Sequence, residues 1–252
     1  MYASRLTHGP VDLAFTDRFG GVSAVPFDSL NLAWAGAWPG GDEEAHVAEN
    51  HRRLLADFAP GDGLDRLAEL SQVHGDTVVV VGSDLPATDA RGHRNATGDG
   101  LVTATPGMTL LVRVADCVPV LLADDQSAVI GAAHCGRPGL VAGIVPATIA
   151  AMRALGAGQI TAWIGPYVCG ACYEVPLEMQ DEVAAVEPVT LASTSWGTPS
   201  LDVGAGVRAQ LERGGVGVTD LSRCTRESPD LFSFRRDGTR SGRQAGLIRL
   251  AS

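Results

Sequence analysis

The sequence predicts an α/β fold, carried as one domain over residues 1–252, and three observations predict it. Hydrophobic residues make up 45% of the chain and charged residues 19%, the balance of a folded globular protein. Three apolar runs rich in β-branched residues, Thr109–Ala115, Val118–Ala123 and Ala128–Ala133, follow one another with short polar breaks, as strands of a buried sheet do. Segments of helical period alternate with further strand-like runs towards the C-terminus, and no low-complexity stretch or linker divides them. A chain of 252 residues is long enough for one sizeable α/β domain or for two halves packed face to face.

Val11 to Thr16 alternates as a strand, and Gly20-Gly21 turns the chain towards Ser29-Leu30-Asn31-Leu32. Asp42 to Phe58 reads as a helix, because Asp42, Glu43 and Glu44 open it and Arg52 and Arg53 lie towards its end, the charge order a helix dipole prefers. Leu67–Val73 and Thr77–Val81 read as strands around a His74-Gly75-Asp76 turn. Asp84 to Gly98 is polar and reads as an exposed loop. After the three apolar runs comes a helix from Leu140 to Leu155 with Pro146 as a kink. Ile160–Ile164 is a strand, Pro176–Val186 a helix, Val203–Arg213 a helix by its Val203, Val207, Leu211 spacing, and Leu231–Arg235 a short strand before a tail rich in Arg and Gly.

The formal net charge is −10, and all 19 basic residues are Arg. That balance argues against nucleic acid or an anionic membrane as partner, since both need a broad basic face. The uncharged stretch between Arg137 and Arg153 is interrupted by Pro146 and is too short to span a bilayer. The first residues, with His8, Pro10 and Asp12, carry no apolar run of the secretory kind, so the expected compartment is the cytoplasm. Five cysteines in such a compartment serve packing, metal or catalysis rather than disulfides.

His74, Cys117 and His134 share a trait: each ends or interrupts an apolar strand. They lie too far apart along the chain for a finger or ribbon, so they meet only through tertiary folding. Two imidazoles and one thiolate suit Zn²⁺ and also copper, and three protein ligands leave a fourth position for water or substrate. The alternative is that both His are satisfied core residues and Cys117 is a packed thiol.

Longer motifs surround these residues: Arg18-Phe19-Gly20-Gly21-Val22-Ser23, Ser29-Leu30-Asn31-Leu32, Ser71-Gln72-Val73-His74-Gly75, Ala115-Asp116-Cys117-Val118-Pro119-Val120 and Ala133-His134-Cys135-Gly136. With Gly165-Pro166, Cys172-Tyr173-Glu174-Val175 and Phe232-Ser233-Phe234-Arg235-Arg236-Asp237-Gly238, the chain resembles the laccase-domain family, once called multicopper polyphenol oxidases and later described as purine nucleoside phosphorylases. The likeness runs from about Arg18 to Ile248. It implies a four-layer α/β/β/α sandwich with mixed sheets, and a zinc ion held by His74, Cys117 and His134. It also implies phosphorolysis of adenosine, inosine, guanosine and methylthioadenosine, with deamination of adenosine as a further activity. Asp116, Cys117, Arg137 and Glu174 become the candidate catalytic residues, with Asp116 and Glu174 as proton carriers. Arg18, Asn31, Arg137, Arg235, Arg236 and Arg243 become the candidates for substrate and phosphate.

Two departures stand out. The family's Ala-His-Ala-Gly-Trp-Arg-Gly is Ala133-His134-Cys135-Gly136-Arg137-Pro138-Gly139 here, so the Trp is lost and the Arg lies one place earlier. Cys169-Gly170-Ala171-Cys172 replaces Gly-Pro-Cys-Cys; it fits half a zinc ribbon, without a second Cys-x-x-C to complete it.

Dianionic phosphate in an acidic protein demands guanidinium forks. Arg235, Arg236, Arg240 and Arg243 are clustered, and Arg137 opens a helix; the other reading of the cluster is a solvated basic tail pairing with surface carboxylates. Asp116 is also a candidate for orienting His74 or His134 rather than for proton transfer. Tyr173, Phe232 and Phe234 could stack on a purine or belong to the core. Two competing classes remain, a copper-dependent polyphenol oxidoreductase and a zinc-stabilised interaction module closed by Cys172 or Cys135. Six His in all are too few for a blue-copper centre together with a trinuclear cluster.

Overall fold

The computed structural model describes residues 1–34, 41–82 and 94–251. Twelve strands form two six-stranded sheets. The first has the order β1 (Tyr2–His8), β2 (Val11–Thr16), β14 (Gln244–Leu250), β7 (Thr109–Val114), β3 (Leu67–Ser71), β5 (Arg94–Thr97). The second has the order β13 (Gly217–Asp220), β10 (Thr161–Ile164), β8 (Val118–Asp124), β9 (Val129–Cys135), β6 (Gly100–Thr103), β4 (Val78–Val80). Both are mixed: β3 runs parallel to β5 and β7, and β4 runs parallel to β6, while β14 is antiparallel to both its neighbours. A small hairpin pairs β11 (Leu191–Ser193) with β12 (Pro199–Leu201).

Strand side chains alternate, and here both faces of the central strands are covered. Leu13 and Phe15 of β2 and Ile248 and Leu250 of β14 meet Leu121 and Ala123 of β8 between the sheets. On the outer face of the first sheet, Ala14, Leu111 and Leu247 pack on Leu54, Leu55 and Phe58 of α1 (Glu44–Phe58). On the outer face of the second, Val118, Val120 and Leu122 pack on α3 (Ile144–Ala154) and α5 (Val203–Arg213), with Val183 of α4 (Leu177–Val186). The result is the four-layer α/β/β/α sandwich that the resemblance implied. Phe15 sets the fit between the sheets: a Cβ on Gly165 would lie 2.2 Å from its ring, and one on Gly246 3.1 Å. Among the described residues no helix is long and apolar enough to cross a membrane.

Several elements depart from the sequence reading. The tail after Arg243 is a strand at the heart of the first sheet, because its apolar residues pair between β2 and β7. Leu231–Arg235 is no strand; Ser233 caps a short helix α6 (Phe234–Asp237) by accepting the Arg236 N–H at 3.2 Å. The helix expected over Leu140–Leu155 breaks at Gly143, whose φ of 93° ends α2 (Arg137–Ala142) and starts α3. Pro146 then falls in the first turn of α3, where no amide hydrogen is missed, and makes no kink. The polar stretch Asp84–Gly98 ends in β5; its earlier part lies outside the described residues.

Candidate metal centre and adjoining pocket

The turn carrying His74 is built on one carboxylate. Asp99, fully buried in the bend immediately before β6, accepts the N–H groups of His74 at 2.9 Å and Gly75 at 2.7 Å, with a longer contact of 3.3 Å from Val73. That grip holds His74 at φ 63°, a left-handed conformation that costs an L-residue about 1–3 kcal/mol and persists only where surroundings enforce it. The same carboxylate meets Nδ1 of His134, in β9, at 2.8 Å. His134 therefore turns its other nitrogen towards the site, an orientation common to metal-ligating imidazoles.

Cys117 sits between β7 and β8, just after Asp116, which is itself left-handed at φ 85°. The Cys117 Sγ lies 3.7 Å from His74 Nε2. One ligand atom each of His74, Cys117 and His134 lies within 4.8 Å of the others, and the two imidazoles meet edge to face with centroids 4.7 Å apart. Gly136 leaves the space between them: a Cβ there would stand 2.6 Å from His74 Cδ2 and 3.0 Å from Cys117 Sγ. Three convergent N and S donors beside a glycine cradle fit a small thiophilic cation of the zinc class.

Without a metal the electrostatics favour a thiolate at Cys117 and an imidazolium at His134, so a cation that binds there displaces the His134 proton. Burial pushes the Cys117 thiol up, but the charge of His134 and hydrogen bonds from His134 and His74 bring it down to about 6. Burial pulls His134 down, and the Cys117 thiolate with Asp99 outweighs it, lifting the imidazole to about 9. Burial raises Asp99, yet hydrogen bonds from His134 and the Gly75 N–H hold it below the usual carboxylate range.

The three donors line a pocket of about 890 Å³, within the range of small-molecule sites. Arg113, Arg137, Arg235 and Arg243 line it as well, together with Trp34, Tyr173 and Phe234.

Compared with known proteins, residues 12–251 match the family model described as multi-copper polyphenol oxidoreductase laccase. The chain belongs to this family. A purine nucleoside phosphorylase of Streptomyces coelicolor is 53% identical over 98% of this chain and 99% of its own length. The purine nucleoside phosphorylase YfiH of Escherichia coli is 36% identical over 92% of this chain and 90% of its own. Among solved structures, YlmD from Geobacillus stearothermophilus superposes with a TM-score of 0.82 at 30% identity, covering 96% of this chain and 93% of that one.

In this laccase-domain chain, the residues singled out by sequence take different places. Arg137 and Arg243 line the pocket; burial lowers Arg243 to about 10, so it stays cationic at neutral pH. Arg235 lines it too, its guanidinium over the Tyr173 ring at 4.5 Å and bonded to the Glu174 carbonyl at 2.9 Å. Arg18 does not; its guanidinium is held by the Asp28 carbonyl at 2.7 Å and the Asp28 carboxylate at 3.2 Å, and lies over Phe232. Arg236 is likewise turned away, donating to the carbonyls of Thr225, Ser228 and Leu231 and pairing with Asp237. Asn31 is buried behind the wall, where its Oδ1 accepts the Arg243 N–H at 2.9 Å and so positions that arginine. Glu174 is exposed, its carboxylate taken by the Trp196 indole at 2.9 Å, outside the pocket lining.

Asp116 lines the pocket but orients neither histidine. Its two oxygens accept the Thr225 hydroxyl at 2.5 Å and the Arg235 backbone N–H at 2.6 Å, tying α6 to the loop that carries Cys117. The orienting role belongs to Asp99, which sequence reasoning missed because it closed the polar loop one residue earlier; an Asp between two glycines ahead of an apolar strand was the available signal. Arg113 was missed as well. It sits inside β7, where an arginine reads as an interruption of an apolar strand, and Gln72 clamps its backbone N–H at 2.9 Å and carbonyl at 2.7 Å.

Proposed function

We propose that this protein is a purine nucleoside phosphorylase that uses a zinc-class ion held by His74, Cys117 and His134. The observation that carries the reading is the lining of one pocket by the three metal donors, four guanidinium groups and three aromatic rings. The names borne by its relatives support the same reaction.

In that reaction an oxygen of hydrogen phosphate attacks C1′ of the ribose, the bond from C1′ to the purine nitrogen breaks, and its electron pair leaves with the base, which takes up, through water, the proton that the phosphate gives up. Arg137 and Arg243 hold the phosphate dianion, and Arg235, braced by Tyr173 and Glu174, closes the anion site. Phe234 and Trp34 offer flat apolar faces to the purine. The ion would supply Lewis acidity that draws electron density from a substrate heteroatom. Adenosine deamination needs a pocket carboxylate free to move protons. Asp116 has both oxygens engaged and Glu174 faces Trp196, which favours phosphorolysis as the main activity.

The copper-oxidase reading needs more imidazoles than the site gathers. Among the described residues His8 packs on Trp163, His46 pairs with Asp42 and His51 with Glu69, all apart from His74 and His134. The test is an assay of inosine and adenosine with and without phosphate on zinc-loaded and copper-loaded protein. Phosphate-dependent release of base is expected. Equal release without phosphate, or phenol oxidation by the copper form, refutes the proposal.

A further inference from the structure

Cys169, Cys172 and Cys224 take no part in the chemistry above, and the Cys-x-x-Cys at 169–172 has no partner motif in the sequence. Folding supplies one. The segment after β10 lies beside a second segment through a parallel bridge between Tyr167 and Cys224, with Tyr167 N–H bonded to the Arg223 carbonyl at 3.2 Å and Thr225 N–H to the Tyr167 carbonyl at 3.0 Å. The Cys169 carbonyl accepts the N–H groups of Cys172 at 2.9 Å and Tyr173 at 3.0 Å, a tight turn that brings both its thiols to Cys224. Glu227 completes the group, its Oε1 3.5 Å from the Cys172 sulfur. One ligand atom from each of the four residues lies within 4.8 Å of the others.

We propose that Cys169, Cys172, Cys224 and Glu227 form a second, structural site for a divalent thiophilic cation of the zinc class, distinct from the His74, Cys117, His134 centre. Three thiolates and a carboxylate are a closed tetrahedral donor set, the mark of a structural rather than a catalytic ion. Tetrahedral thiolate–zinc bonds of roughly 2.3 Å place two sulfurs roughly 3.8 Å apart, so donors that lie within 4.8 Å of one another close on an ion by contracting each separation by at most about 1 Å. Arg226, lying over the Trp196 ring at 4.7 Å and favouring the Cys172 thiolate, offsets part of the excess negative charge.

The placement gives the site a purpose. Val168 and Tyr173, which line the pocket, flank the Cys-x-x-Cys turn, and Thr225, which holds Asp116, follows Cys224 directly. An ion here staples the wall that carries Tyr173 to the segment whose Thr225 and Ser228 carbonyls hold Arg236 of α6.

The test is zinc stoichiometry of the full chain, loaded with Zn²⁺ under reducing conditions, freed of excess metal and measured by mass spectrometry, with Co²⁺ absorption as a second readout. Wild type should retain about two ions per chain. Cys172→Ser and Cys224→Ser should each retain one, Cys117→Ser should retain the other, and Cys117→Ser combined with Cys224→Ser should retain none. Cobalt-loaded Cys117→Ser should keep intense tetrahedral bands with sulfur-to-cobalt charge transfer. Glu227→Gln, an exposed change that spares the thiols and the fold, should lose one zinc to a chelator faster than wild type. One ion per chain in wild type and none in Cys117→Ser overturns the proposal, as does a mass two hydrogens lower showing a disulfide among the three cysteines in freshly reduced, zinc-loaded protein. Because the readout is metal content, loss of phosphorolysis alone does not bear on it.

Discussion

Replacing Asp99 by Asn should damage both stability and metal affinity, although Asp99 contacts no substrate. The carboxylate is fully buried and accepts from His74, Gly75 and Val73 N–H groups on one side of the chain and meets His134 Nδ1 on the other. An amide keeps one acceptor oxygen. If that oxygen serves His74 and His134, the new NH₂ faces the donors of Gly75 and Val73. Two unsatisfied buried donors at about 1–3 kcal/mol each give a loss of about 2–6 kcal/mol. Loosening the imidazole that it orients should raise the zinc Kd about 10–100-fold. Urea unfolding of the metal-free protein measures the first quantity, and competition with a chelator the second. The pH dependence adds a sign. A carboxylate held below its ordinary range stabilises the fold above about pH 4 and loses that contribution as pH falls through its folded value. The gap between wild type and variant should therefore narrow in acid. A variant within about 0.5 kcal/mol of wild type at pH 7, with unchanged zinc affinity, would refute the account of Asp99 as the hub.

Gly136→Ala forces a methyl to 2.6 Å from His74 and 3.0 Å from the Cys117 sulfur; overpacking of about 1–3 kcal/mol should weaken zinc binding about 5–150-fold, and unchanged affinity counts against the cradle. Arg243→Ala should raise the phosphate KM by at least about tenfold, as loss of a charge-assisted fork at about 1.5–3 kcal/mol implies, whereas Arg236→Ala should leave KM alone and lower the melting temperature; steady-state kinetics and thermal unfolding separate them, and the reverse pattern would exchange their roles. In metal-free protein, alkylation of Cys117 should rise with an apparent pKa of about 6, while Cys135, buried and pushed well above its ordinary value, stays unreactive. Against ordinary values of 9.0 and 6.5, the Cys117 contribution is full above about pH 9 and gone below about 6, while that of His134 is full below about 6.5 and gone above about 9. The two offset each other, so the metal-free fold should show a nearly flat stability from about pH 6.5 to 9, and a slope of a full proton there, about 1.4 kcal/mol per pH unit, speaks against the pair.

Local chemistry was enough to reveal the apolar strands β7, β8 and β9 and the helices α1, α4 and α5, because each carries its own period and its own ends. For His74, Cys117 and His134 local chemistry showed only residue types that break apolar runs; the family resemblance singled them out as a set, and the fold brings them together. What the chain could not disclose locally is which partner each group meets. The tail after Arg235 reads as an Arg- and Gly-rich extension until β2 and β7 are seen to leave a slot between them, and only that pairing makes Gln244–Leu250 a central strand. Arg18, Arg236 and Arg243 are identical side chains that were equal candidates for phosphate. Two are spent on carbonyls of their own surroundings and one is carried into the pocket by Asn31. Asp99 and Asp116 are likewise alike in sequence, and their hydrogen-bond partners separate the orienter of the histidines from the anchor of α6. Residue type and period thus settle which groups can bind or pack, while hydrogen bonding and burial, which depend on contacts distant along the chain, settle which of them do.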